Sequence, residues 1–238
     1  MWGGERRSVS ISTGKERLMN EENRKAIRIS VRNLVEFVLR SGDIDNRRSG
    51  NAQKDAMLAG GRIHRKIQKR MGSGYRAEVP LKHEVQDEEQ EITLLVEGRA
   101  DGIFTENGIP VIDEIKGMYT DISRLEEPIE VHLAQAMCYG YFYCCDKDLD
   151  GIRLQMTYCN LETEEIKRFQ TGRSREELET WFSGVVHEYF KWARYLYHHE
   201  LTRDASIGHL EFPFPYRAGQ RDLVVSVYRT VSRKKRLF

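Results

Sequence analysis

The stretch GRADGIFTENGIPVIDEIKG, residues 98–117, decides how this chain folds. It sets Asp101, Asp113, Glu114 and Lys116 inside what otherwise reads as two half-buried strands joined by a turn. Strand interiors disfavour Asp, and charges are rarely buried unless paired or bound to a cation. Asn107-Gly108 is the strongest short signal for a two-residue hairpin turn. With these residues at the turn, Glu106 faces Ile109, and the register carried outward sets Asp101 opposite Glu114. Directly opposed residues share a face, with Cβ atoms roughly 4.5–5.5 Å apart. Two carboxylates so placed repel each other. Alternation puts Lys116 on the same face as Glu114 and turns Asp113 away with Val111 and Ile115. A hard divalent cation such as magnesium would relieve the repulsion. A bulge at Pro110 would shift this register. On the hairpin alone, a solvated Asp101–Lys116 salt bridge is the competing reading.

The rest of the chain supplies the setting. Its 238 residues have room for one good-sized domain plus an appendage. Hydrophobic residues make up 39% and charged residues 32%, a balance of soluble globular chains. A net charge of +1 excludes a global basic field, so nucleic-acid binding would depend on local patches. Cys138, Cys144, Cys145 and Cys159 show no C-x-x-C spacing, which speaks against a zinc or iron–sulfur site and for reduced thiols in a cytoplasmic protein. No apolar run is long enough to span a bilayer, so no membrane partner is expected.

Upstream, residues 1–25 read as a flexible tail, whose TGK lacks the earlier Gly of a phosphate loop. Val31, Leu34, Val35, Val38 and Leu39 form a helical stripe with Ser30 as N-cap and Gly42 as stop. A second helix over about 52–71 carries Met57, Ile63, His64 and Ile67. Gly60 and Gly61, one turn before His64, would let that helix come close to the sheet. Period-two patterns at Ala77–Val79–Leu81 and Ile92–Leu94–Val96 read as strands leading into residues 98–104. Downstream, a helix over about 129–143 places His132, Gln135 and Tyr139 on one face. Two further strands follow, then a capping box of Ser174 and Glu177 opens a long helix to about His199. Its stripe is Leu178, Trp181, Phe182, Val185, Tyr189, Trp192 and Leu196. A final helix over about 218–231 is followed by a basic and then apolar end.

Taken in order, a helical His64, Asp101 ending one strand, Glu114-Ile115-Lys116 on the next, and a helix with Gln135 and Tyr139 resemble the PD-(D/E)XK nuclease superfamily, in its RecB-like branch. The resemblance covers about residues 31–201. It implies an α/β restriction-endonuclease-like core, a mixed central sheet flanked by helices, with an N-terminal helical part. It also implies a metal-dependent DNA nuclease, an exonuclease acting in DNA repair or processing, with Mg2+ or Mn2+ as cofactor. Some RecB-like relatives carry an iron–sulfur cluster, but the cysteines here do not match that pattern, so no iron–sulfur cluster is expected. Asp101, Glu114 and Lys116 would be catalytic. His64, Asp101, Glu114 and the Ile115 carbonyl would hold the metal. Gln135 and Tyr139 would bind DNA or hold the surroundings of Lys116, and the basic run RKIQKR beside His64 could add positive charge.

The segment FPFPYRAGQRDLVVSVY, with Tyr216, Arg217 and Gln220, resembles the lead-in to the motor of DinG-like superfamily-two helicases. This implies three parts: the tail over 1–25, a nuclease domain over 26–205, and a lead-in over 206–238 to a helicase motor elsewhere in a longer chain. The other functional class is a catalytically silent, nuclease-like DNA-binding module. Asp113, on the opposite face, is expected to matter far less to turnover than Lys116.

Overall fold

The computed structural model describes residues 25–40, 51–89, 91–211 and 213–237, with the backbone alone for 51–57. The chain divides into two compact units, Met1–Tyr195 and Leu196–Phe238. The first holds a six-stranded mixed sheet flanked by helices, the architecture expected from the sequence. Its elements run β1 Lys25–Ser30, α1 Val31–Val38, α2 Asn51–Arg70, β2 Arg76–Gln86, β3 Ile92–Glu106, β4 Ile109–Met118, α3 Glu130–Lys147, β5 Gly151–Asn160 and β6 Ile166–Ser174. Helix α4, Arg175–Ile207, begins in the first unit and ends in the second, which also contains α5, Gln220–Ser232.

The hairpin forms in the expected register, from Glu106↔Ile109 to Gly102↔Asp113. Asn107 and Gly108 both take positive φ, 53° and 80°, as a type I′ turn requires. Pro110 pairs with Thr105 without a bulge. The pairing then stops one rung short of Asp101, and the reason lies in how β3 is shared. One edge of this 15-residue strand carries β2. The other carries β1, in parallel, along Ile92–Glu97 and β4 from Gly102 onward. Between the end of β1 and the start of β4, residues 98–101 have no neighbouring strand on that edge. Strands β3 and β4 therefore fork at Asp101. Strand β4 continues alongside β5 in parallel, from Val111↔Arg153 to Met118↔Asn160, with α3 making the crossover that such a pair needs.

Helices cover both faces. Helix α2 packs Ile63 and Ile67 against Ile115 and Cys159. Helix α3 lies on the opposite face, where Gly140 comes against Leu154 and Ile152. The approach of α2 does not come from its glycines. Gly60 has open space where a Cβ would be, and Gly61 would meet only the Arg65 guanidinium. Ile63 and Ile67, about one and two turns later, supply the close contact instead.

Ser30 caps α1, accepting from the Asn33 amide at 3.1 Å, and α1 ends at Val38; the stop expected at Gly42 and the tail up to residue 24 lie outside the described residues. The capping box opens α4 through Glu177 N–H to Ser174 Oγ at 3.1 Å and Ser174 N–H to Glu177 Oε2 at 2.8 Å. Along α4, Leu178, Phe182, Val185, Val186, Phe190 and Ala193 are buried. Trp192, placed in the apolar stripe by sequence, is 57% exposed, with its ring edge-on to Phe37 at 6.1 Å. Lys25–Ser30 forms strand β1 where the sequence pattern predicts only the end of the tail and then helix α1. No helix among the described residues is long and apolar enough to cross a membrane.

One close approach near the fork can be tested by stability alone. A Cβ at Gly102 would lie 1.8 Å from the Tyr75 ring. Gly102→Ala must displace that ring, and overpacking of this kind costs about 1–3 kcal/mol. Denaturant unfolding of the two proteins should show a lowered midpoint with an unchanged slope.

Candidate active site at the strand fork

At the fork, β3 and β4 no longer bond to each other, so their backbone groups find other partners. The Ile115 amide donates to Asp101 Oδ2 at 2.7 Å. The Asp101 carbonyl accepts from Gln68 Nε2 at 2.9 Å. The Arg99 amide donates to the Tyr139 hydroxyl, whose ring lies against Gly98. Unpaired buried backbone groups are costly, so these side chains are what make the fork tenable. Across β2, the ladder also skips the rung between Glu78 and Asp101. Glu78 there takes φ 53°, a strained value for a residue with a Cβ in a strand. Gln68 Nε2 lies 3.2 Å from Glu78 Oε1 as well, so one amide group serves both sides of the gap.

His64, Asp101, Glu114, Ile115, Lys116, Gln135 and Tyr139 lie around this opening. His64, on α2, places Nδ1 3.2 Å from Asp101 Oδ1. Burial acts to lower the His64 pKa, but the hydrogen bond and charge of Asp101 and the charge of Glu114 outweigh it, and the net shift is upward. Lys116 Nζ donates to Glu114 Oε1 and to Gln135 Oε1, both at 2.8 Å. The ammonium thus pairs with Glu114, while Asp101 turns to His64 and the Ile115 amide. The surface Asp101–Lys116 bridge is not the arrangement adopted. The Ile115 side chain is fully buried against α2. Gln135 and Tyr139 are both buried, the first engaged with Lys116 and the second with β3. His132 lies against the Tyr158 ring at 5.9 Å. Burial, aided by the charges of Lys116 and Arg32, pushes its pKa down to about 4, so it is neutral.

The electrostatics centre on Glu114. Its side chain is 5% exposed, one oxygen meets Lys116, and Oε2 is buried without a partner. Burial raises its pKa to about 7, with Asp101 pushing the same way and Lys116 and His64 opposing. An ionised carboxylate left half-satisfied in a buried site is unfavourable. A divalent cation between Glu114 and Asp101 would answer that deficit, and the oxygen and imidazole donors here suit magnesium or manganese.

A pH dependence follows. Glu114 titrates near 4.5 when unperturbed and about 7 in the fold. Between those values the folded chain holds a proton that the unfolded chain has lost, so the stability tied to this group falls as pH rises through that window. Without metal, thermal unfolding should shift downward from pH 4.5 to 7, and Glu114→Gln should flatten that slope. Manganese should restore more stability above pH 7 than below, because below it must displace the proton.

Sequence reasoning passed over Gln68, Glu78 and Tyr75. Gln68 was within reach, since it follows His64 by four residues and so shares its helical face. Glu78 left no signal, because its strain arises from a gap in tertiary pairing.

No family model matches the sequence, and no curated protein matches it. Among solved structures, SSO0001 is similar at 18% identity and a TM-score of 0.44, over 73% of this chain and 81% of that one. An alkaline exonuclease, LHK-Exo from Laribacter hongkongensis, is similar at 14% identity and a TM-score of 0.41, over 74% of this chain and 94% of that one. The same exonuclease in complex with dAMP gives 14% identity and a TM-score of 0.40, over 79% and 98%.

Proposed function

We propose that this chain is a divalent-metal-dependent DNA nuclease of the PD-(D/E)XK type, with Asp101, Glu114 and Lys116 at its reacting centre. The observation that carries the reading is the buried Glu114 carboxylate, bonded to Lys116 through one oxygen and unpartnered at the other, beside Asp101. Asp101 and Glu114 would hold magnesium or manganese, with His64 and the Ile115 carbonyl completing the donor set. The bound cation would supply Lewis acidity toward a phosphodiester and acidify water at neutral pH.

The chain's own residues do the positioning. Lys116 directs its ammonium to the phosphate and the attacking water, stabilising charge that grows in the transition state. Gln135 holds that ammonium in place from α3. Tyr139 braces the unpaired stretch of β3, and both residues act here by ordering the site. Arg62, Arg65, Lys69 and Arg70 on α2 are exposed and offer positive charge to a DNA backbone. A cytoplasmic setting fits four free thiols, three of them buried.

Exonucleolytic action and service to a helicase motor rest on the sequence resemblance, the second through Tyr216, Arg217 and Gln220. A silent DNA-binding module is the other reading, but it leaves the Glu114–Lys116–Gln135 assembly without a use. The test is incubation with end-labelled single- and double-stranded DNA in magnesium, manganese or chelator, with products resolved by size. Chelator-sensitive shortening of the label supports the reading. Retarded but intact DNA under every metal supports the silent module.

A further inference from the structure

Asp113 points away from Glu114 and Lys116, as alternation requires, yet it is the most unexpected group on the other face. It is wholly buried between Val111 and Ile115. The Tyr75 hydroxyl donates to its Oδ2 at 2.9 Å and the Thr157 hydroxyl to its Oδ1 at 2.6 Å. Gln155 also reaches it, while donating to Thr157 Oγ1 at 3.2 Å and accepting from Gln170 Nε2 at 2.7 Å. These contacts tie β4 to β5, β6 and the residue just before β2. The Tyr75 ring reaches Asp113 by lying over Gly102 and stacking on Phe104, at 5.9 Å and 27°.

Stability is a poor reason for such a network, since well-packed apolar residues commonly serve as well as a buried charge. Its position is informative. Gly102↔Asp113 is the last rung before β3 and β4 part. The next rung in the same register would join Asp101 to Glu114. A slip or loosening there would change both the separation of the two carboxylates and the bond from the Ile115 amide to Asp101.

We propose that Tyr75, Asp113 and Thr157 form a clamp behind the sheet that fixes where β3 and β4 fork, making Asp113 and Tyr75 positioning residues for the Asp101–Glu114 pair. The link to turnover rests on the nuclease reading above; the link to fork geometry does not. Tyr75 acts through Asp113, and neither touches the reacting atoms.

The test uses Tyr75→Phe in the full chain, which removes the hydroxyl and leaves the ring over Gly102. Residue-resolved amide hydrogen exchange is the primary measurement, because the Ile115 amide reports its bond to Asp101 directly. Exchange at Ile115 should rise at least about tenfold, while Leu94, in the part of the sheet shared by β1, β2 and β3, should change little. With cleavage assayed in parallel, kcat should fall about tenfold with KM within about twofold, as expected when geometry alone is loosened. Asp113→Asn serves as the second variant and should act in the same direction. Unchanged Ile115 exchange in both variants overturns the clamp, whether or not the parent cuts DNA. Faster exchange with an unchanged kcat overturns the positioning role. A parent that never cleaves counts against the nuclease reading, and the clamp is then judged on Ile115 exchange alone.

Discussion

Replacing Lys116 with alanine is expected to leave a folded protein that binds DNA and manganese but cleaves at least about 100-fold more slowly, the usual consequence of losing one transition-state donor. The ammonium is held by Glu114 and Gln135, so it is ordered before substrate arrives. Its loss also removes a charge that keeps the Glu114 pKa down. Metal binding by Lys116→Ala should therefore weaken near neutral pH and recover as pH is raised and Glu114 gives up its proton. Single-turnover cleavage at the higher pH separates the two effects. A defect that persists there is one of catalysis. Cleavage equal to the parent would remove Lys116 from the mechanism.

Asp101→Asn should be the more severe change, with cleavage reduced roughly 1000-fold, if several kcal/mol of charge stabilisation by the cation is lost. Asn keeps the size of the side chain and an oxygen to accept from the Ile115 amide, and its amide can face His64 Nδ1. What it lacks is the charge needed to hold the cation. Thermal stability without metal should be close to that of the parent, which alanine would not guarantee, because alanine strands the Ile115 amide. Near-parent cleavage by a folded Asp101→Asn would mean that the fork is not the site of chemistry.

The hairpin and its register were legible because two local rules agree. Asn-Gly selects one turn type, and alternation then assigns every side chain on either side of it. That was enough to bring Asp101 and Glu114 to neighbouring positions and to place Lys116 beside Glu114. The fork itself was not legible. It exists because β1 occupies the edge of β3 that β4 leaves, and nothing in Lys25–Ser30 announces a partner 67 residues further on, as in Lys25↔Ile92. The roles of Gln135 and Tyr139 depended on the same fork, since Tyr139 braces the stretch that lacks a neighbouring strand. Gly60 and Gly61 misled in a different way. A glycine in a helix permits close approach but does not cause it, and the apolar residues Ile63 and Ile67 decided which side of α2 meets the sheet. Alternation puts Asp113 on the far face but says nothing of what waits there.

The central claim is that the fork between β3 and β4 binds a divalent cation, and calorimetric titration of the metal-free protein with manganese tests it most directly. The account predicts one binding event per chain, weakening below pH 7 as Glu114 takes up its proton and abolished by Asp101→Asn. No binding heat from the parent above pH 7, or binding that survives Asp101→Asn unchanged, would contradict it.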